Sequence, residues 1–158
     1  MKRATIVGPY RYHNFGDDLI GSIIAIYLKD LNFNVTIPLL GKENCDYLNV
    51  EYTNKLRAEI KRANLIIIGG GGILGDSGIT PNDYYRLLAF KASLCGKLMG
   101  KPIITTGVGA GPLTLNTSKL LTWMIGLLSK KVGVRDCESK KFLTDIGISH
   151  RKIVEGAD

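Results

Sequence analysis

The sequence has few cysteines and no long hydrophobic run. Its three cysteines, Cys45, Cys95 and Cys137, lie far apart without a Cys-x-x-Cys pair, which favours neither a zinc site nor a disulfide framework. We therefore expect reduced thiols in a cytoplasmic protein. No segment approaches the roughly 18 uninterrupted apolar residues of a transmembrane helix. The apolar stretch near Met1 is too short for a secretory signal and is typical of a first strand.

Acidic residues are outnumbered by basic ones. The chain has 21 Lys and Arg residues against 14 Asp and Glu residues, a formal net charge of +7, which favours approach to anionic substrates or to an anionic membrane surface. Peripheral membrane association is therefore left open. The basic residues are scattered, and no nucleic-acid motif is present. Nucleic acid is not predicted as a partner.

Strand and helix patterns alternate along the chain. Its 158 residues, 45% of them hydrophobic, suffice for one domain with one core. Apolar spacing predicts strands at 3–8, 33–37, 65–68, 102–106, 132–134 and 153–154, and helices at 18–31, 53–63, 81–99, 117–128 and 137–146. This α/β pattern predicts a doubly wound, predominantly parallel, Rossmann-like sheet with helices on both faces. The strand-to-helix loops of such a sheet share its carboxyl edge, where ligands bind.

Glycines are concentrated in two of these loops. Gly70-Gly71-Gly72-Ile73-Leu74-Gly75 fits the pattern of a dinucleotide-binding loop. It follows the third strand, however, and the next helix starts only near Pro81, so a dinucleotide site is not predicted. The run either makes a tight turn or presents backbone N–H groups to a ligand, and its length favours the ligand. Gly107 and Gly109, after the fourth strand, repeat this signal more weakly.

The loop after the first strand carries the candidate catalytic group. Asn14, Gly16 and Asp17 lie at the start of the first predicted helix. Asp17 either caps that helix, through its interaction with the free N–H groups and the helix dipole, or also contacts a substrate hydroxyl. His13 precedes the loop and faces either the cleft or solvent.

Charged residues follow two further strands. Arg135 ends the fifth strand and either binds a phosphate or carboxylate in the cleft or serves as a structural ion-pair partner. Asp136 is predicted to cap the next helix. Asp76, just after the glycine run, lies in reach of the same edge. His150 is in a polar turn and is assigned no role.

Four segments in fixed order span nearly the whole chain. They are Asn14 to Asp18, Ile66 to Asp76, Gly107 to Leu113 and Val134 to Ser139. Each is weak alone, but together they resemble the polysaccharide pyruvyl transferase family. The sequence departs from the family at Asp18, where a Glu is common.

The resemblance implies a two-domain, GT-B-like enzyme that transfers pyruvate from phosphoenolpyruvate to a sugar of a cell-wall polymer or exopolysaccharide precursor, forming a ketal. No cofactor is implied beyond the donor substrate. Residues 1–158 correspond to the N-terminal domain, and the second domain, which we expect to be absent, holds the phosphoenolpyruvate-binding basic residues. We therefore expect this chain alone to be inactive. Asp17 is the candidate base, and the candidate substrate contacts are Asn14, Gly16, Gly70, Gly71, Gly72, Asp76, Gly107, Gly109 and Arg135.

Two other functions fit the same pattern. A glycosyltransferase that uses a sugar nucleotide can share this architecture and its glycine loops. A non-catalytic binding module that associates with a partner chain can also retain the fold.

Overall fold

A computed structural model describes residues 2–10, 14–75 and 81–156 of the chain. In these residues six strands form one parallel sheet in the order β2-β1-β3-β4-β5-β6. The strands are β1 (Lys2–Val7), β2 (Phe33–Thr36), β3 (Leu65–Gly69), β4 (Ile103–Val108), β5 (Lys131–Val134) and β6 (Ile153–Glu155). The predicted parallel α/β sheet is confirmed.

Helices connect the successive strands. They are α1 (Phe15–Asp30), α2 (Lys42–Leu48), α3 (Leu56–Arg62), α4 (Pro81–Leu98), α5 (Asn116–Leu128) and α6 (Cys137–Asp145), and a 3₁₀ turn, His150–Lys152, precedes β6. The chain runs from β1 to the edge strand β2 and then returns past β1 to β3. With right-handed crossovers, this reversal places α1 on one face of the sheet and α3 to α6 on the other.

The hydrophobic residues of β3 are buried on both faces of the sheet. Ile66 and Ile68 belong to the larger buried cluster under α4 and α5, whereas Ile67 belongs to a second cluster with Ile6 of β1 and Ala25 of α1. Side chains alternate between the faces of a strand, so the continuous apolar run reflects a central strand that is covered on both sides.

The structure adds one helix to the sequence prediction and shifts the bounds of several elements, most clearly the start of α1. The polar stretch after β2 contains the short helix α2, whose buried residues are Cys45 and Leu48. Two apolar positions are too few to give a recognisable helical period. Helix α1 begins at Phe15, earlier than the predicted start at Asp18, because Asn14 caps it.

Candidate functional site

The loops after β1 and β3 meet where the strand order reverses. In doubly wound sheets this switch point forms a crevice outside the carboxyl ends of the strands. Tyr10, completely buried, joins the two loops, because its hydroxyl donates a 2.9 Å hydrogen bond to the carbonyl of Gly69. The ring occupies the space that β-carbons at Gly8 and Gly21 would need, each of which would lie 2.6 Å from a ring atom. The two glycines therefore admit the tyrosine, and the tyrosine supports the glycine loop.

Asp17 lies in the first turn of α1, facing the glycine loop. The cap of this helix is Asn14, whose Oδ1 accepts a 3.2 Å hydrogen bond from the N–H of Gly16. The half-buried carboxyl of Asp17 lies against the backbone of Gly71, where a β-carbon would be 2.9 Å from Asp17 Cγ. Asn14 thus provides the cap considered for Asp17, and the Asp17 carboxylate is turned toward the second loop.

The surroundings of Asp17 favour its protonated form. Burial of the carboxyl and the neighbouring charge of Asp18 raise its pKa. A hydrogen bond from Asn14 and the positive charge of Arg135 lower it, but the net pKa stays above the usual aspartate value. A raised pKa makes the carboxylate a stronger base.

The glycines of the second loop are not equivalent. Gly70 and Gly71 have φ of 87° and 63°, in the left-handed region that side chains disfavour. Gly72 is exposed, and a β-carbon there would meet nothing within 4 Å. Two of the glycines are therefore required by the turn and by Asp17, while Gly72 leaves open space at the mouth of the crevice.

The third loop, which follows β4, continues the pairing of β3 with β4 beyond the ends of these strands. The N–H of Gly109 donates a 3.0 Å hydrogen bond to the carbonyl of Gly71, and the N–H of Gly111 donates one of 3.2 Å to Leu74. Ser139 of α6 holds the loop from the other side, since its Oγ accepts a 2.9 Å hydrogen bond from the N–H of Ala110. The second and third glycine loops thus form one connected backbone platform.

Arg135 lies on that platform. A β-carbon at Gly109 would be 3.0 Å from Arg135 Cζ, so the absence of a side chain there lets the guanidinium lie over the loop. Its Nε pairs with Asp136 at 3.1 Å, while Asp136 also caps α6 by accepting a 2.7 Å hydrogen bond from the N–H of Ser139. The Asp136 cap is confirmed, and these hydrogen bonds to Ser139 and Arg135 lower the pKa of Asp136.

A cavity of about 350 Å³ lies beside this arginine, between α1 and the ends of β4 to β6. Its walls are Ile20, Ile23 and Ile24 of α1 on one side, with Thr106, Gly107, Gly133, Val134, Arg135, Val154 and Gly156 completing the lining. A mainly apolar cavity with one charged group at its rim is typical of a small-molecule site.

Comparison with known families places the chain in one of them. The sequence model of the family described as polysaccharide pyruvyl transferase matches residues 14–158. The chain belongs to the polysaccharide pyruvyl transferase family. A comparison with curated proteins gave no match.

Family membership agrees with the positions of the four sequence segments. The structure brings Asn14, Gly16 and Asp17 to the same edge as Gly70, Gly71 and Gly72, and joins Gly107, Gly109 and Arg135 to them. His13 and Asp76 lie outside the described residues. His150 is exposed in the 3₁₀ turn before β6, at the opposite edge.

Two residues that support the loops of this candidate site were not predicted from the sequence. One is Tyr10. The other is Arg86 of α4, completely buried, whose guanidinium donates to the carbonyls of Ile73 at 3.3 Å and Gly75 at 2.6 Å. The available signal was a single charged residue in the otherwise mainly apolar segment Tyr85 to Ala89. An Arg buried in such a segment needs partners, because Arg is rarely buried without them.

In the described part of the chain, no three His, Cys, Asp or Glu side chains group as a metal site would require. Among the described residues, too, no helix combines the length and apolarity needed to cross a bilayer.

Proposed function

We propose that this chain forms the acceptor-side wall of a pyruvyl transferase that moves pyruvate from phosphoenolpyruvate to a sugar of a cell-surface polysaccharide. The observation that carries the proposal is the position of Asp17, whose carboxyl faces the glycine platform at the switch point, inside the segment that the family matches. A carboxylate in that position can meet a sugar hydroxyl held over the loops.

The reaction has a simple balance. Two sugar hydroxyls add to C2 of phosphoenolpyruvate, the bond from C2 to the phosphate oxygen breaks, and a pyruvyl ketal forms. One hydroxyl proton ends on C3, which becomes a methyl group, and the other leaves with inorganic phosphate. The enzyme must therefore accept a proton from a hydroxyl and stabilise the leaving phosphate.

Asp17 is the group proposed to accept the hydroxyl proton, and its raised pKa suits that role. Proposed substrate contacts are Asn14 and the loop glycines, which let a sugar approach the backbone closely. These glycines are Gly16, Gly70, Gly71, Gly72, Gly107 and Gly109. Asp76 remains a proposed contact from the sequence alone. Arg135 would bind a carboxylate or phosphate, since guanidinium forms strong, paired hydrogen bonds with such oxygens.

A second wall would complete the site. We propose that a further domain supplies the main phosphate-binding charge, that no cofactor is needed beyond the donor substrate, and that residues 1–158 alone have no turnover. The free thiols of Cys45, Cys95 and Cys137 are consistent with a reducing compartment such as the cytoplasm.

The test uses a full-length family member that carries the same four segments, compared with the 158-residue chain. Phosphate release and the methyl signal of the ketal are followed by NMR with phosphoenolpyruvate and a polysaccharide-precursor acceptor. We expect acceptor-dependent phosphate release by the full-length protein and none by the short chain. Turnover of a nucleotide sugar instead would support a glycosyltransferase. Turnover by the short chain would show that the catalytic groups have been assigned to the wrong domain.

A further inference from the structure

The amino edge of the sheet, opposite the candidate site, is strongly basic over β4, β5 and β6. Here α4 and α5 end, and β4, β5 and β6 begin. The segments 97–101, 127–131 and 145–152 carry six basic residues and, among their described residues, one acid, Asp145. We call these six residues the basic edge: Lys97, Lys101, Lys130, Lys131, Arg151 and Lys152.

Direct contacts join two of these segments, 127–131 and 145–152. Lys131 Nζ donates a 3.1 Å hydrogen bond to the carbonyl of Arg151. Lys152 Nζ donates to the carbonyls of Leu127 at 2.7 Å and Ser129 at 2.9 Å, at the end of α5. Partial burial and the nearby charge of Lys97 lower the pKa of Lys152. Charges of like sign therefore meet at this edge.

Some basic residues elsewhere on the surface form ion pairs. Arg135 pairs with Asp136 and Lys140 with Glu155. Within the described residues, none of the six members of the basic edge forms an ion pair. The cluster thus retains its charge for an external anion.

Aliphatic side chains project from the same helix ends. Leu98 is 78% exposed, Leu127 54% and Met99 43%. Apolar side chains beside lysines are a combination that binds lipid interfaces, where the apolar groups enter the acyl boundary and the ammonium groups meet anionic headgroups. A nucleic-acid surface would instead be expected to offer aromatic stacking platforms, and segments 97–101 and 127–131 contain no aromatic residue.

We propose that the basic edge docks the protein on an anionic lipid bilayer. The inference does not rest on the proposed transfer reaction. Docking by the amino edge leaves the carboxyl edge turned away from the bilayer, at roughly 20 Å for strands of up to six residues. Membrane binding and substrate binding should therefore be separable by mutation.

The test is co-sedimentation of the 158-residue chain with vesicles of phosphatidylcholine, with and without phosphatidylglycerol. The test variant combines Lys97→Glu, Lys130→Glu and Arg151→Glu. Its control combines Lys42→Glu, Arg57→Glu and Lys141→Glu, which are exposed on α2, α3 and α6. Three reversals remove six positive units, so both variants have a formal charge of +1 instead of +7.

We expect binding to the anionic vesicles only, weakened by salt. Each basic residue near an anionic leaflet contributes about fivefold in partitioning, so the test variant should lose about a hundredfold or more and the control much less. Hydrogen exchange of the wild-type chain should show protection at 97–101 and 127–131 on vesicle binding, which needs no variant. Equal losses in the two variants, protection elsewhere, or binding to RNA but not to vesicles would overturn the proposal.

Discussion

The carboxyl of Asp17 and the backbone of Gly71 are in contact across the switch point of the sheet. A β-carbon at Gly71 would lie 2.9 Å from Asp17 Cγ, and closer still to Oδ1. The two residues are distant in sequence, yet each constrains the other, because the glycine makes room for the carboxyl and the carboxyl covers the glycine. The Asn14 to Asp18 segment and the glycine run therefore act as one unit.

This contact predicts that Gly71→Ala is harmful and Gly72→Ala is not. Alanine at position 71 would clash with Asp17 and adopt a φ of 63°, which costs roughly 1–2 kcal/mol in addition to the clash. At Gly72 the new methyl group would meet nothing within 4 Å. Thermal unfolding of the two variants of the 158-residue chain measures the difference, and equal stability of the two would contradict this account of the loop.

The role of Asp17 is tested by Asp17→Asn. Because Asn14 is the helix cap, the substitution removes a charge and keeps the cap. The substitution loses a favourable interaction with the helix dipole, but it also removes a partly buried charge that Asp18 repels. These effects oppose each other, so we expect the free energy of unfolding to change by less than about 1 kcal/mol. In a full-length family member, turnover should fall roughly 10²–10⁴-fold, because the amide cannot accept a proton. Near-normal turnover would leave the base unassigned.

The same substitution has a predicted pH signature in stability. The pKa of Asp17 is raised in the folded chain above its ordinary value of 3.8. At pH values between these two pKa values, the folded state therefore holds more protons than the unfolded state. The wild-type chain therefore loses stability relative to Asp17→Asn as pH rises through this window, and keeps that deficit at neutral pH. Urea unfolding of both chains across pH 3 to 7 measures it, and a relative gain by the wild type would reverse the assigned direction.

Tyr10 is predicted to matter through one hydrogen bond. Tyr10→Phe keeps the ring under Gly8 and Gly21 but leaves the buried carbonyl of Gly69 without its 2.9 Å donor. Such a loss costs about 1–3 kcal/mol. The control is Tyr47→Phe at an 89% exposed position, which should be neutral. Chemical denaturation compares them, and two neutral variants would show that the glycine loop does not depend on the tyrosine.

The sequence predicted the sheet and the edge on which the loops lie, because both follow from local patterns. The apolar run Ile66 to Ile68 is typical of a strand that is covered on both faces. The period of α1 predicted a helix, although Ile23, Tyr27 and Leu31 of its apolar stripe are exposed, and the buried residues of α1 are Gly21, Ala25 and Leu28. The short helix α2 was missed because Cys45 and Leu48 alone give no period.

Long-range contacts explain what could not be predicted at the site. Tyr10 looks like any tyrosine until β3 places Gly69 over its hydroxyl, and Arg86 looks like a surface arginine until the glycine loop brings the carbonyls of Ile73 and Gly75 to it. The cap of α1 was open between Asn14 and Asp17, since both residue types cap helices. The hydrogen bond from the N–H of Gly16 to Asn14 Oδ1 identifies Asn14 as the cap.

Arg135 is predicted to set the acid limb of the pH–rate profile. Its positive charge lowers the pKa of Asp17, against the stronger effects of burial and Asp18. Arg135→Gln removes this influence, so the pKa of Asp17 should rise and the acid limb of kcat/KM should move to higher pH in a full-length family member. The control is Lys141→Gln on the exposed surface of α6, which does not contribute to the Asp17 pKa.

If Arg135 also binds the donor, the KM for phosphoenolpyruvate rises at every pH. A purely electrostatic role moves the acid limb and leaves the plateau value of kcat/KM unchanged. A limb that stays in place would mean that Asp17 is not the titrating base.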